Sequence, residues 1–313
     1  MSVEKVILAT PRGFCAGVEM AIATVDRALE KHGAPLYVFH EIVHNQHVVA
    51  DFQRRGVIFV NSIADVPQRS NVIFSAHGVS PVVWQQAKEK QLRWLIDATC
   101  PLVEKVHREV RKFVAQGYWV LLVGHHDHDE IVGTSGEAPA RTLVVENVAA
   151  ASSIVVPDPE KIVVLTQTTL SLDDTREIIG VLKERFPRMI TPAKEDICYA
   201  TQNRQDAVKQ LAQAVQLVLV IGSKNSENSN QLVQVARSLG RPAYLIDDQH
   251  GIDPAWLVGV SRVGITSGAS VPDQLVQEVV EFFTRRGAQV EQVGLVEENI
   301  HFAVPTEISS SAN

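Results

Sequence analysis

The sequence lacks the features by which several classes of protein are recognised. It has only three cysteines and no Cys-x-x-Cys pair, which weakens a disulfide framework, a zinc ribbon and a ferredoxin-type electron carrier. No apolar stretch approaches the ~18 residues of a membrane span. Neither a Walker-type phosphate loop nor a Gly-x-Gly-x-x-Gly fingerprint supports a nucleotide cofactor. Basic residues are not in excess, since 29 Lys and Arg stand against 36 Asp and Glu, so nucleic acid or a membrane is not expected as a partner.

What remains is the composition of a globular protein. The chain has 313 residues, 45% of them hydrophobic and 21% charged, and can bury an ample core without disulfide bonds. The first apolar run, Val6 to Ala9, is too short for the core of a signal peptide. We therefore expect a cytoplasmic protein whose reduced cysteines are available as thiolate ligands.

Short runs rich in Val, Ile and Leu alternate with longer amphipathic stretches, which predicts an α/β fold. Each cysteine stands after an apolar run and directly before a helical pattern. The runs and helices are Val6–Ala9 and Ala16–Lys31 around Cys15, Trp94–Ile96 and Pro101–Ala115 around Cys100, and Asp196–Ile197 and Tyr199–Val215 around Cys198. Pro101 suits a first helical turn, and Gly33 and Gly117 suit C-terminal caps. The three thiols are thus predicted at helix N-termini, where the helix dipole favours a thiolate.

A strand is predicted after each of these helices, and each strand ends in a polar loop. The strands are Leu36–Phe39, Trp119–Val123 and Leu217–Ile221. In the loops that follow them, His44, His128 and Ser226 stand 29, 28 and 28 residues after the respective cysteines. In a second set of polar loops, His77, Thr168 and Ser270 stand 62, 68 and 72 residues after them. This repetition predicts three diverged units.

The predicted fold consists of three pseudo-repeated α/β units with small, mostly parallel sheets. The first unit spans residues 1–97 with the N-terminal strand and Cys15, the second spans 98–195 with Cys100, and the third spans 196–300 with Cys198. Residues 301–313 form a predicted C-terminal tail. Ligands of parallel α/β sheets bind at the carboxyl ends of strands. If the units face a common axis, the cysteines surround one metal group and the polar loops surround one substrate.

Three protein ligands leave one coordination position of a metal open, which is typical of catalytic sites. Zinc bound by three thiolates and a water is chemically allowed, but it supplies no electrons. An iron–sulfur cluster is therefore the preferred interpretation. It predicts reductive chemistry on a small substrate.

The polar loops carry candidate residues for binding and proton transfer. His44, His77 and His128 can donate to an anionic oxygen or pass a proton. Glu130 is the predicted carboxylate of a proton relay with His128, and Asp127 and Asp129 are its competitors. Hydroxyl and amide groups at strand ends can hold phosphate oxygens, although the same residue types are ordinary in caps and turns. These groups belong to Thr168, Thr169, Ser226, Asn228 and Ser270.

The motifs that contain these residues resemble those of the LytB/IspH reductase family. The matching stretches run in order through nearly the whole chain and begin at Pro11 (PRGFCAG), His40 (HEIVHN), Ser75 (SAHGVS), Asp97 (DATCPLV), Thr166 (TQTTLS), Asp196 (DICYAT), Gly222 (GSKNS) and Gly268 (GAS). The resemblance implies a trefoil around one [4Fe–4S] cluster held by Cys15, Cys100 and Cys198, whose remaining iron binds the substrate oxygen. It further implies reductive conversion of 4-hydroxy-3-methylbut-2-enyl diphosphate into isopentenyl and dimethylallyl diphosphate, the final step of the non-mevalonate (methylerythritol phosphate) isoprenoid pathway.

The resemblance also implies roles for individual residues. The diphosphate would be held by His44, His77, Ser226, Asn228 and Ser270. Thr168 would contact the substrate hydroxyl, and His128 with Glu130 would deliver protons. A ferredoxin or flavodoxin is the implied external electron donor, and we expect a monomer. Glu227 departs from the family pattern, since its carboxylate would have to point away from a diphosphate, and the Ser-Ser-Ser-Ala-Asn tail is predicted to be disordered.

Two other functions fit the same residues. A non-redox dehydratase would use a three-cysteine cluster to polarise a hydroxyl without net electron transfer, and it would need no external reductant. A non-enzymatic iron–sulfur sensor would bind a regulator or small anion in the polar loops, and it would not turn over substrate.

Overall fold

The computed structural model describes residues 3–192, 195–294 and 296–309. It confirms the alternation of strands and helices, and the strand pairings of the described residues are all parallel. The strands are β1 (Lys5–Ala9), β2 (Leu36–Phe39), β3 (Val57–Val60), β4 (Asn71–Phe74), β5 (Trp94–Asp97), β6 (Trp119–Val123), β7 (Thr142–Val145), β8 (Ile162–Thr166), β9 (Leu217–Ile221), β10 (Ala243–Ile246), β11 (Arg262–Ser267) and β12 (Gln289–Val293). The helices are α1 (Ala16–His32), α2 (Gln46–Arg54), α3 (Pro81–Glu89), α4 (Pro101–Ala115), α5 (Asp129–Ser135), α6 (Val148–Ser153), α7 (Leu172–Arg185), α8 (Tyr199–Ala214), α9 (Glu227–Ser238), α10 (Asp273–Thr284) and α11 (Thr306–Ser309).

The strands form three small parallel sheets, as predicted, and the chain divides into two compact units. The one-sheet unit contains the described residues of 3–16, 44–48 and 199–300, with the strand order β10-β9-β11-β1-β12. The two-sheet unit contains the described residues of 17–43, 49–198 and 301–309, with the orders β3-β2-β4-β5 and β7-β6-β8. The domain boundaries given above stay a prediction.

The N-terminal strand, assigned above to the first unit, lies instead in the sheet of the one-sheet unit. It pairs with β11, where Leu8 is opposite Ile265, and with β12 on its other side. Four of its five residues are buried. Both faces of β1 are covered by helices: Val6 and Leu8 pack in the cluster that contains residues of α10, and Ile7 and Ala9 pack in the cluster that contains residues of α8 and α9. Such an apolar strand is typical of a parallel sheet with helices on both faces.

In the one-sheet unit, alternate residues of a strand pack into two different core clusters, one on each face of the sheet. In β9, Leu217, Leu219 and Ile221 pack in the cluster formed with α10 on one face. Val218 and Val220 pack in the cluster formed with α8 and α9 on the other face. Because successive side chains of a strand point to opposite faces, an uninterrupted apolar run can serve two helical layers.

The helices that follow the cysteines begin where the sequence predicts. Pro101 occupies the first turn of α4, and Gly33 and Gly117 end α1 and α4 in left-handed conformations, with φ of 72° and 86°. The pair Asp196–Ile197 before Cys198, which the sequence pattern treats as a short apolar run, is not a strand. The nearest described pairing before it is an isolated bridge between Ile190 and Val163.

Two further observations concern the whole chain. Among the described residues, no helix has both the length and the hydropathy needed to cross a bilayer. The predicted tail contains the short helix α11, whose last residue, Ser309, is the first of the Ser-Ser-Ser-Ala-Asn stretch predicted to be disordered. The other residues of that stretch, 310–313, lie outside the described residues.

Candidate functional site

The backbone of each cysteine is fixed in the same way. Each thiol residue directly precedes a helix and is half-buried. Each cysteine N–H donates to a carbonyl of a second polar loop, and these bonds join Cys15 to Ala269 at 3.1 Å, Cys100 to Ala76 at 3.0 Å and Cys198 to Thr168 at 3.0 Å. The spacing in the sequence relates each cysteine to polar loops that follow it in the chain. The structure bonds Cys100 and Cys198 to loops that precede them. For Cys100, the reason is that β5, which leads to it, lies beside β4, which ends in that loop; among the described residues between β8 and Cys198 there is no strand, only the bridge from Ile190 to Val163 of β8.

The donor set agrees with a thiolate-bound metal group. Three thiols stand at the N-termini of helices of 17, 15 and 16 residues, where unpaired N–H groups favour negative charge. Soft thiolate ligands select iron–sulfur clusters, zinc or copper(I) over magnesium and calcium. The cysteines therefore suit the predicted cluster by their chemistry.

In the two-sheet unit, Glu130 and Thr168 form a buried acid–hydroxyl pair. Thr168 donates its backbone N–H to Glu130 Oε1 at 2.7 Å and its hydroxyl to Oε2 at 2.8 Å. Both residues are almost inaccessible, with 2% and 5% of their surfaces exposed. Since the Thr168 carbonyl accepts the N–H of Cys198, one chain of hydrogen bonds connects the predicted proton donor, the predicted substrate contact and a predicted metal ligand.

Burial changes the protonation of Glu130. Loss of solvation raises its pKa to about 7, although the two hydrogen bonds from Thr168 act in the opposite direction. A carboxyl group with a pKa near 7 can hold a proton at neutral pH and release it without a large free-energy cost. The protonated acid can donate to the Thr168 hydroxyl, which then donates its own proton onward.

Glu130 lies in the first turn of α5, whereas the sequence analysis placed it in a loop. The helix begins there because His128 is its N-cap, with Nδ1 accepting the N–H of Glu130 at 3.1 Å. Neutral His128 therefore carries its proton on Nε2, which makes that atom a donor.

Asp127 and Asp129, the alternatives to Glu130 as the carboxylate of the proton relay, lie in different environments from Glu130. Asp127 is exposed. Asp129 Oδ1 lies 2.6 Å from His40 Nδ1, and its Oδ2 lies 3.9 Å from His77 Nδ1. Of the three carboxylates, Glu130 alone is bonded to Thr168 among the contacts described, and this contact favours it over the other two as the candidate for proton transfer.

The structure brings His77 and His128 together. Their ring centroids are 6.0 Å apart with perpendicular planes, and His77 Nδ1 lies 3.3 Å from the Ser75 hydroxyl. Gly78, which follows His77, has a left-handed φ of 77° and packs closely against His107. A side chain at Gly78 would lie 2.9 Å from the His107 imidazole.

In the one-sheet unit, four of the five predicted diphosphate residues also cluster, whereas His77 belongs to the two-sheet unit. The Ser270 hydroxyl donates to the His44 carbonyl at 3.0 Å, and Asn228 Oδ1 accepts the N–H of Ala269 at 2.9 Å. Ser226 is the N-cap of α9. The side chains of Ser226, Asn228 and Ser270 are buried, so an anion bound there would meet N–H and hydroxyl donors at the start of a helix.

Two glycines let the loops of this cluster approach each other. A Cβ at Gly222 would lie 2.2 Å from the Ser229 hydroxyl, and a Cβ at Gly268 would lie 2.1 Å from it. The Glu227 carboxylate, which departed from the family pattern, accepts a hydrogen bond from Gln231 one turn along α9.

Sequence reasoning missed several residues that hold these loops. Asn45 caps α2 by accepting the N–H groups of His47 and Val48. Gln167 accepts the N–H of His125 and donates to the Thr169 hydroxyl. Asn45 and Gln167 lie inside the recognised motifs, and a polar residue directly before a helix or after a strand is the signal that could have found them.

Fold and site together define an α/β protein with cysteines at three helix N-termini and a buried acid–hydroxyl pair. The model of the LytB protein family matches residues 6–284. This chain is 52% identical over 307 residues to a protein from Streptomyces avermitilis named 4-hydroxy-3-methylbut-2-enyl diphosphate reductase, with 97% of this chain and 90% of that protein covered. It is 53% identical over 310 residues to a protein of the same name from Mycobacterium leprae, with 98% and 93% covered.

The fold of this chain is also similar to that of solved structures of such reductases. The E-1-hydroxy-2-methyl-but-2-enyl-4-diphosphate reductase from Plasmodium falciparum superposes with a TM-score of 0.94 at 38% identity, covering 98% of this chain and 97% of that chain. A structure of (E)-4-hydroxy-3-methyl-but-2-enyl diphosphate reductase, described as the terminal enzyme of the non-mevalonate pathway, gives a TM-score of 0.62 at 31% identity, with 90% and 100% covered. This chain belongs to the LytB protein family.

Proposed function

We propose that this chain catalyses the reductive dehydroxylation of 4-hydroxy-3-methylbut-2-enyl diphosphate to isopentenyl and dimethylallyl diphosphate, the last step of the non-mevalonate isoprenoid pathway. The names of relatives that match 97% and 98% of the chain support this substrate. The observation that carries the proposal is the buried pair of Glu130 and Thr168, whose carbonyl holds the backbone of Cys198.

Cys15, Cys100 and Cys198 are the proposed ligands of a single [4Fe–4S] cluster. When bound, such a cluster supplies electrons one at a time. Their repeated placement at helix N-termini supports this assignment, as does the identical bonding of their backbone N–H groups.

The diphosphate is the proposed ligand of His44, His77, Ser226, Asn228 and Ser270. Hydroxyl, amide and imidazole groups can donate to its oxygens without requiring a lysine or arginine. The N-terminus of α9 adds favourable electrostatics there. Thr169, whose hydroxyl accepts from Gln167, is a further proposed contact.

The reaction breaks the bond between carbon and the hydroxyl oxygen, forms a C–H bond and releases water, consuming two electrons and two protons. Hydroxide is a poor leaving group, so protonation of the oxygen lowers the barrier. Glu130 holds this proton and Thr168 passes it to the substrate hydroxyl. His128, with its donor on Nε2, is the proposed second group of the proton relay.

The test is anaerobic purification followed by iron and sulfide analysis, electron resonance, and assay on the diphosphate with a chemical reductant. We expect a coloured protein whose turnover depends on the reductant. Turnover without reductant would favour the dehydratase, and a cluster without turnover would favour the sensor. A colourless, iron-free protein would contradict the assignment of the cysteines.

Three finer points are proposals of the same kind. The electrons come from an external donor, because no nucleotide-binding motif occurs in the sequence, and a ferredoxin or flavodoxin is the donor that the family resemblance implies. The protein is proposed to act as a cytoplasmic monomer. Reconstitution with either donor and measurement of the molar mass in solution test the first and the last of these points.

A further inference from the structure

Arg204 is a charged residue in the interior of the one-sheet unit to which the proposed function gives no role. It lies on α8 and is 0% exposed. A buried guanidinium is strongly unfavourable unless its charge and its N–H groups are satisfied. The partners of Arg204 are therefore informative.

The guanidinium joins three parts of the chain. Nη2 donates to the Gly13 carbonyl at 2.7 Å, and Nη1 donates to the Ala200 carbonyl at 3.0 Å. Nη1 also contacts both carboxylate oxygens of Glu298, at 3.1 and 3.2 Å. Asn203, the neighbouring residue on α8, donates to the same carboxylate at 3.1 Å.

Gly13 belongs to the turn that places Cys15. Its φ of 73° is left-handed, a conformation that needs outside contacts to be held in one arrangement. Its N–H donates to the Ser267 hydroxyl at 2.8 Å, while its carbonyl accepts from Arg204. With Cys15 bonded to Ala269 at 3.1 Å, the turn is held at both ends, and Arg204 supplies the charge-assisted contact.

Glu298 supplies the countercharge. Its side chain is 13% exposed and lies in the segment 296–300, which follows β12 and has no regular secondary structure. If this carboxylate were neutralised, the buried guanidinium would lose its ion pair and would be drawn toward solvent, away from the Gly13 carbonyl. The segment thus acts on the Cys15 turn through Arg204.

We propose that Arg204 is a positioning residue for Cys15 and that Glu298 keeps it in place. The two residues hold the turn before Cys15 in the conformation in which its thiol can serve as a metal ligand. The consequence for the cluster rests on the proposed function, whereas the conformation of the turn does not.

The first test compares rates of thiol alkylation in the metal-free protein, with each cysteine followed by mass spectrometry. In Glu298→Gln, we expect Cys15 to react about tenfold faster, the factor that loss of one charge-assisted hydrogen bond allows. Cys100 and Cys198 should keep their wild-type rates. Glu297→Gln is the matched control, because Glu297 is the exposed neighbour of Glu298.

Two more variants separate positioning from general damage. Arg204→Lys should accelerate the alkylation of Cys15 as Glu298→Gln does. A lysine ammonium lacks the forked guanidinium that reaches both the Gly13 carbonyl and the Glu298 carboxylate. Glu298→Asp keeps the negative charge, so Cys15 should be alkylated more slowly in this variant than in Glu298→Gln. Equal acceleration of all three cysteines would indicate loosening of the whole fold and would overturn the proposal, as would unchanged rates.

The second test follows iron release from the loaded protein to a chelator under anaerobic conditions. Glu298→Gln is expected to release iron about tenfold faster than wild type and Glu297→Gln. An iron-free wild-type protein would contradict the proposed function but leave the alkylation result valid. The failures of the two proposals are thus distinguishable.

Discussion

Replacement of Glu130 by glutamine tests the proton-transfer proposal most directly. Glutamine keeps the shape of the side chain, its oxygen can still accept the Thr168 N–H, and its NH₂ group can donate to the Thr168 hydroxyl. It cannot deliver a proton. A positioned general acid contributes about 10² to 10⁴ in rate, so we expect kcat to fall by this factor while KM changes little.

The pH dependence follows from the burial of Glu130. Its pKa is about 7 in the folded protein, against an ordinary value of 4.5. The acid is therefore protonated and active below pH 7, and wild-type kcat should fall as the pH rises through 7. In Glu130→Gln this limb of the pH profile should be absent.

The same shift predicts an effect on stability. A carboxyl with a raised pKa in the folded state contributes stability that is fully present below pH 4.5 and is lost as the pH rises through about 7. At about 1.4 kcal/mol for each pH unit between the two values, the loss is roughly 3 kcal/mol. The difference in unfolding free energy between wild type and Glu130→Gln should change by this amount between pH 4 and pH 8.

The assays are anaerobic steady-state kinetics from pH 5.5 to 9 and urea unfolding at the two pH values. The matched control is Glu184→Gln, because Glu184 is exposed on α7, and it should behave as wild type in both assays. Full activity of Glu130→Gln, or a stability difference that does not change with pH, would refute the assignment of the proton to Glu130.

Three further predictions concern neighbouring parts of the structure. Thr168→Val, which removes the hydroxyl bonded to Glu130, should lower kcat about a hundredfold, whereas Thr168→Ser should retain most activity; steady-state assays with equal iron content decide this. Gly268→Ala should lower the unfolding free energy by about 1–3 kcal/mol, because the added Cβ would lie 2.1 Å from the Ser229 hydroxyl. Gly180→Ala should raise the unfolding free energy by about 0.5–1 kcal/mol, because Gly180 lies in α7 with open space around it. Urea titrations measure both changes. Cys100→Ser should bind less iron than wild type while keeping the helical circular dichroism, and an unchanged iron content would remove this cysteine from the ligand set.

Much of the fold could be predicted because it depends on neighbours in sequence. The helices after the cysteines, α1 and α4, begin at the predicted residues, and the predicted β2, β6 and β9 have the observed bounds. Such elements are specified by the period of the apolar residues and by local caps such as Pro101. The membership of β1 in a sheet could not be predicted, because its partner β11 follows it by more than 250 residues, and an apolar strand fits any parallel sheet.

Some features of the candidate site could likewise be predicted from the sequence, and others could not. Its residue types and their near-constant spacing from the cysteines could be read from the sequence. The distinction between Glu130 and its competitors could not, because three acids within four positions look alike until one is buried. The proposed role of Arg204 could not be read from the sequence either, because its partners Gly13 and Glu298 are 191 and 94 residues away in the chain.

The sequence by itself determined the three thiols at helix N-termini and the polar loops that follow the strands, because these features depend on contacts within one or two turns of chain. Only the tertiary structure decided which carbonyl holds each cysteine, which of the three acids at 127, 129 and 130 is buried with a pKa near 7, and which side chain contacts the Cys15 turn. Those properties depend on burial and on hydrogen bonds between residues distant in sequence, such as the 38 residues that separate Glu130 from Thr168.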